Sequence, residues 1–402
     1  MIQLTTIENA WDAFSVFGVF VVGFVIMGLR PFSAVSTKAS LGLYFWHTLF
    51  CVYYLYYSLD NPADATGYFR KSFDLPAEFT LGNTSIYYLT AFCTQVLNLS
   101  YLGSFLFYNI LGTFGLLAFY AALNEALTNK SKNLKQLASI VVFFPGLSFW
   151  SSAIGKDTLT FLGSGLLCWS LLNGSRRYPA AIAGIMLFMF PRAYMVGLLV
   201  ASLAISVLIA GRMKVSVKIV ALAVIVPAVG FALTLSMSAA NIGSEGAFDS
   251  IGDLISYQQT VNNEGGSSIS LVDMNIAMRY LSYAFRPLFF DAGSMLGLVA
   301  SFENLIIIGI FCFGTLQFRK SKSSLPPVAR WFYAIYVALA WTILANSTAN
   351  IGLATRQKWM FMPMLLLLML SYFPNINHLI ERRKMSPRQG SEMDPTRGTI
   401  SN

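Results

Sequence analysis

The sequence predicts an all-α integral membrane protein that crosses the bilayer about eleven times, and three observations lead there. Of its 402 residues, 56% are hydrophobic and 11% charged, whereas a soluble domain is about 25% charged. Apolar runs of fifteen to twenty-five residues recur along most of the chain, more than a soluble core needs. Basic residues gather in alternate gaps between those runs, the pattern of loops that stay on the cytoplasmic side.

Taken in order, the apolar runs place spans at 10–29, 41–58, 103–127, 136–150, 157–173, 178–190, 194–211, 217–236, 302–317, 331–346 and 359–373. The first has no Lys or Arg ahead of it and no small-residue cleavage site, so it reads as a retained span rather than a signal peptide. The basic gaps hold Arg30 and Lys38; Lys130, Lys132 and Lys135; Arg176 and Arg177; Arg212, Lys214 and Lys218; and Arg319, Lys320, Lys322 and Arg330. With the five basic residues after position 380 they account for nineteen of the 27 in the chain. The positive-inside rule then puts the N-terminus outside, the C-terminus inside, and an odd number of spans between them.

Three of these spans, 136–150, 157–173 and 178–190, are shorter than the roughly twenty residues that cross a bilayer upright. Short apolar helices can be re-entrant or border a water-filled cavity. Residues 86–100 mix apolar side chains with Thr90, Thr94, Gln95 and Asn98 and read as an external interfacial helix. The polar, acidic stretch 237–290 reads as an external loop, followed by a short amphipathic approach over 291–301. The expected organisation is one polytopic domain, 1–384, with external loops at 59–102 and 237–301 and a disordered tail at 385–402.

The chemistry lies in a few charges. The four cysteines sit in or beside apolar runs, like small hydrophobes rather than a disulfide or zinc framework, and two histidines are too few for His-based metal or base chemistry. An ionisable group near membrane depth costs about 3 kcal/mol or more, which makes each one a functional-site hypothesis. On the expected outer face these are Asp60 and Asp64 in the first loop, Lys156–Asp157 in the turn SSAIGKDT, Arg192 in FPRAY, Arg286 in FRPLFFD, and Arg356 and Lys358 in ATRQKW. Each has a plainer reading. Asp60 and Asp64 can be solvating loop acids, Lys156–Asp157 a local ion pair, Arg192 a snorkelling turn residue, and Arg286 the partner of nearby Asp291. Gly155–Lys156–Asp157–Thr158 is no phosphate-binding P-loop, since Asp follows the lysine where Ser or Thr is needed.

Together these groups offer carboxylates and several fixed cations on one membrane face. That inventory suits transfer from a phosphate-bearing donor: a carboxylate takes the acceptor proton while cations receive charge building on the departing phosphate. It suits ion-coupled transport less, because acids are scarce inside the spans.

Asp64-Ala-Thr-Gly-Tyr68, PGLSFWSSAIGKDTLTF (145–161), FPRAYMV (190–196), FRPLFFDAGSMLGLVASFENL (285–305) and NIGLATRQKWMFMP (350–363) resemble short signatures of a known group. That group is the GT-C superfamily of multi-spanning, polyprenyl-phosphate-dependent glycosyltransferases, and more narrowly the bacterial membrane proteins of polysaccharide clusters. Ala193 and Tyr194 stand where the third signature usually has Pro and His. The resemblance implies Asp64 as general base with Asp60 behind it, and Tyr68 beside them. It implies Asp157 as a second acid orienting the acceptor or a divalent cation (Mg or Mn, held by Asp64 and Asp157). Lys156, Arg192, Arg286, Arg356 and Lys358 would contact donor phosphate.

The leading expectation is therefore a glycosyltransferase or polysaccharide polymerase of the bacterial inner membrane. It would take a lipid-linked sugar or oligosaccharide donor and a glycan acceptor at the periplasmic face, with the bilayer and no nucleic acid as its other surroundings. The alternative is a transporter or flippase of the same lipid-linked glycans, against which stand the absence of repeat halves and the one-sided placement of the charges.

Overall fold

The computed structural model describes residues 6–61, 63–210, 274–348 and 350–375, with single positions 4, 219, 223, 227 and 230. The expected span at 217–236, most of the 237–290 loop and the 385–402 tail lie outside the described residues. Among the described residues the chain is all helix, without a strand. We number the helices α1 (Ala10–Gly28), α2 (Thr37–Asp60), α3 (Asp64–Lys71), α4 (Asn83–Ala91), α5 (Tyr101–Ala126), α6 (Lys132–Val142), α7 (Pro145–Ser151), α8 (Lys156–Ser170), α9 (Gly174–Ala210), α10 (Ile276–Phe285), α11 (Met295–Gln317), α12 (Pro327–Ser347), α13 (Ile351–Gln357) and α14 (Met362–Ser371).

Local chemistry sets the helix starts. Side-chain oxygens of Asn9, Ser36, Ser100, Ser131, Asn275, Ser294 and Asn350 accept a backbone N–H from the first turn of α1, α2, α5, α6, α10, α11 and α13, satisfying donors that have no partner inside the helix. Five helical stretches are long and apolar enough to cross a bilayer: α1, α5, the run Lys156–Ala210, α11 and α12. The pair α6–α7 is a sixth if its two helices, bent by 41°, form one span.

The core is built on α5, which packs against α8, α2 and α1. Of its apolar window 72% is buried inside the molecule, against 22% for α1, so α1 lies at the periphery with its apolar face outward. α5 and α8 cross backbone to backbone: a Cβ at Gly165 would stand 2.1 Å from the Gly115 carbonyl oxygen. Small residues at a crossing let two helices come this close, the packing that serves membrane helices best.

Several sequence-based boundaries change. The expected span 136–150 is two helices, because Pro145 lacks an N–H and turns Phe144 extended (φ −59°, ψ 127°). The expected spans 178–190 and 194–211, as far as Ala210, belong to one helical run, which departs from helical dihedrals at Arg177 and Arg192. Residues 86–100 run as the end of α4 and a π-helical turn, Phe92–Val96. The amphipathic approach at 291–301 is a 3-10 turn, Phe289–Asp291, followed by the first turns of α11 itself.

Candidate functional site

Four short structural features converge at one end of the bundle. Asp64 opens α3 and Asp157 lies in the first turn of α8, where the partial positive charge of a helix N-terminus favours carboxylates. Arg356 sits in the last turn of α13, where the opposite charge favours a cation. Arg192 occupies the break inside α9, next to Pro191, with φ −145° and ψ 60°. Gly82 N–H donates to the Phe190 carbonyl at 2.7 Å and Ser85 Oγ donates to it at 2.9 Å, tying that break to the start of α4.

One guanidinium joins both candidate acids. Arg356 Nη1 donates to Asp64 Oδ2 at 2.6 Å, and its Nε donates to Asp157 Oδ2. Arg192 Nη2 donates to the other oxygen of Asp157 at 2.7 Å, and its Nη1 to Tyr194 Oη at 3.3 Å. Asp157 is thus clamped by two arginines 164 positions apart in sequence, and the local Lys156–Asp157 pair that its sequence neighbourhood allows is not formed. Arg192 is 7% exposed, and its Nε meets no acceptor among the described residues. A buried donor left unmet is costly.

The Trp150 ring lies 5.8 Å from the Arg356 guanidinium carbon, and Tyr68 lies against Gly155 with its hydroxyl donating to Asn83 Oδ1 at 3.2 Å. Burial, with Asp64 beside it, raises the Tyr68 phenol well above its usual range. Burial works against the charge on Arg356, but the Asp157 and Asp64 carboxylates outweigh it and hold the guanidinium above its usual range. Lys156 lies within electrostatic range of Arg192, Arg356, Asp157 and Asp64, and no acceptor meets its ammonium among the described residues. Two cavities of about 10 Å³ flank the cluster, one touching Ser151, Asp157 and Arg356, the other Tyr54, Asp64 and Arg356. Each has room for about one water.

The structure brings Asp64, Asp157, Arg192, Arg356, Tyr68 and Lys156 together and leaves out three expected residues. Asp60 is the exposed last residue of α2. Arg286 pairs with Asp291, donating through Nε at 2.6 Å and again through Nη2. Lys358 is 2% exposed and donates to Asn304 Oδ1 in α11. Nor does the donor set fit a divalent cation. Asp64 Oδ2 and both carboxylate oxygens of Asp157 already accept from arginines, and no third Asp, Glu, His or Cys joins them among the described residues.

Sequence reasoning passed over two polar anchors. Glu303 Oε1 accepts the Gly146 N–H at 2.6 Å at the start of α7. His47, fully buried, meets Ser151 Oγ through Nε2 at 2.9 Å and Asn109 Oδ1 through Nδ1 at 2.5 Å. The available signal was an imidazole inside the apolar run LGLYFWHTLFCVYY, with Asn109 and Thr113 one helical turn apart on α5. Searches of protein-family models, of curated proteins and of solved structures find no match to the chain.

Proposed function

We propose that this chain is a membrane glycosyltransferase or polysaccharide polymerase, GT-C-like in architecture, that uses a polyprenyl-(pyro)phosphate-linked donor at the periplasmic face of the bacterial inner membrane. The observation that carries the reading is the shared clamp: Arg356 holds both acids while Arg192 beside it keeps a buried N–H unmet. An anion with several oxygens satisfies that donor and competes with the carboxylates for the guanidiniums.

With cavities this small, a substrate enters only as the ion pairs part. Donor phosphate takes the Nη1 of Arg356 from Asp64, which frees the Asp64 carboxylate. Asp64 then accepts the proton of an acceptor hydroxyl as its oxygen forms a bond to the anomeric carbon. The bond from that carbon to the phosphate oxygen breaks, and the electron pair leaves with the (pyro)phosphate, met by Arg192, Arg356 and Lys156. Asp157, held by both arginines, keeps the cations in place. The eleven-span reading with an external N-terminus belongs to the same proposal, since it sets the cluster on the outer face.

The test is charge removal. Asp64→Asn, Asp157→Asn and Arg192→Ala are produced at matched membrane levels and assayed for glycan product from lipid-linked donor. Product lost in all three supports the reading, and wild-type product from all three sinks it. Donor accumulating only on the cytoplasmic side of cells carrying the variants assigns the chain to transport instead.

A further inference from the structure

A second charged region lies at the opposite end of the bundle. The link between α11 and α12 reads FRKSKSSLPP over 318–327. It is tied to the end of α14, where Ser324 N–H donates to the Ser371 carbonyl at 3.2 Å and the hydroxyls of Ser323 and Ser371 meet at 2.7 Å. Lys130 donates to the same Ser371 carbonyl at 2.9 Å, so this end is shared with the α5–α6 link and not with the Asp64–Arg356 cluster.

Between these segments opens a cavity of about 580 Å³, within the range of about 300–1,000 Å³ typical of small-molecule sites. Arg319, Lys320, Lys322 and Arg330 all line it, and no acidic residue does. None of the four makes an ion pair among the described residues. Four like charges around one space repel one another, and an anion in the space relieves the repulsion.

The surroundings indicate which anion. The Phe318 ring packs on Tyr372 at 4.9 Å and is 58% exposed, and Trp331 is 40% exposed at the start of α12. Phe313 and Leu316 on α11 are also exposed, 41% and 65%. Aromatic rings at the ends of apolar helices mark the headgroup level of a bilayer, and a basic pocket between helices at that level suits an anionic headgroup. A cavity at that level, opening beside exposed apolar side chains, accommodates acyl chains as well as the charged headgroup.

We propose that this cavity binds an anionic phospholipid, its phosphodiester among Arg319, Lys320, Lys322 and Arg330 and its acyl chains along Phe313 and Leu316. The site is independent of the chemistry at Asp64.

The test uses the full chain in phosphatidylcholine vesicles carrying equal minor fractions of either brominated phosphatidylglycerol or brominated phosphatidylcholine. The signal of Trp331 is the difference between wild type and Trp331→Phe. The anionic lipid is expected to quench that signal at least about threefold more effectively. Each neutralised cation is expected to weaken the preference about two- to fivefold, so Arg319→Gln/Lys322→Gln/Arg330→Gln abolishes it. Equal quenching by the two lipids in wild type overturns the proposal, whatever the variant does. Loss of the preference when inorganic phosphate replaces chloride at constant ionic strength assigns the cavity to a free anion and overturns the lipid.

Discussion

Asp64 and Asp157 share one arginine yet differ in what their removal should do. The Asp64 side chain is 52% exposed and that of Asp157 16%. An exposed ion pair contributes little, about 0.5 kcal/mol, because water solvates both partners once it breaks. A buried pair is different, since losing one partner strands the other charge in a poor solvent. Asp64→Asn is therefore expected to change thermal stability by no more than about 0.5 kcal/mol while product formation is lost. Asp157→Asn leaves two buried guanidiniums facing each other and should cost about 3 kcal/mol. Thermal unfolding of the purified variants, followed by tryptophan fluorescence, separates the two. Equal destabilisation would make Asp64 a structural partner of Arg356 and remove it from the chemistry. Arg192→Lys tests the unmet donor: lysine keeps the charge but has neither the fork nor the Nε. Donor KM should then rise about tenfold or more, the loss of one charge-assisted hydrogen bond, with stability close to that of the wild type.

At the scale of elements, the helix that presents Trp150 to Arg356 is only seven residues long and is held at both ends from outside. Glu303 of α11 takes the N–H of Gly146 at its start, and His47 of α2 takes the Ser151 hydroxyl at its end. A Cβ at Gly146 would stand 2.6 Å from Glu303 Oε2, so Gly146→Ala is expected to displace the carboxylate and cost about 1–3 kcal/mol. Glu303→Gln keeps an acceptor for that N–H and should be tolerated better than Glu303→Leu in the same melting experiment. Equal melting of Gln and Leu variants would show that the contact does not hold α7. The 3-10 turn at Phe289–Asp291 has a pH signature of its own. Asp291 accepts from Arg286 and from the Leu288 N–H, and chiefly the Arg286 hydrogen bond lowers its carboxyl below the usual range. A carboxyl lowered in the folded state stabilises fully above its unfolded pKa of about 3.9 and stops doing so as pH falls through the lower folded value. Stability should drop below about pH 4, and Arg286→Gln should flatten that drop, as read from melting temperature against pH. These links were illegible in the sequence for a simple reason. The partners lie 157 positions apart for Gly146 and Glu303 and 104 for His47 and Ser151, and spacing carries no information at that range. What local spacing did carry was the break beside Pro191, where the expected spans 178–190 and 194–211 part; the break at Pro145 was passed over, because the apolar run 136–150 continues across it.

For the molecule as a whole, hydropathy identified an all-helical chain with bilayer-length apolar helices. The basic gaps do come together: Asn124 donates to the Ala34 carbonyl, Arg177 pairs with Glu125, and Lys130 donates to Ser371. The expected outer charges meet at the other end as Asp64, Asp157, Arg192 and Arg356. Ten of the eleven expected runs fall on described residues, where five helical stretches qualify, or six with the bent pair, and one of them, Lys156–Ala210, takes in three expected spans. α8 and α14 are too short to qualify alone, at 15 and 10 residues, and tyrosines lower the hydropathy of α2. Short helices lined by neighbours need less apolar length than lipid-facing ones, because protein and not lipid meets their ends. The membrane sidedness of the site is then a matter for direct measurement. Reporter domains active only in the periplasm or only in the cytoplasm, fused after Lys38, after Asp64 and after Asp157, should give one sidedness for both aspartates and the opposite for Lys38. The cluster requires the first half of that outcome, because Arg356 cannot bridge carboxylates on two faces of a bilayer about 30 Å thick. The positive-inside pattern requires the second half. Asp64 and Asp157 on opposite faces would dismantle the site. Both on the cytoplasmic face, with Lys38 outside, would keep the ion pairs but end the case for a periplasmic donor.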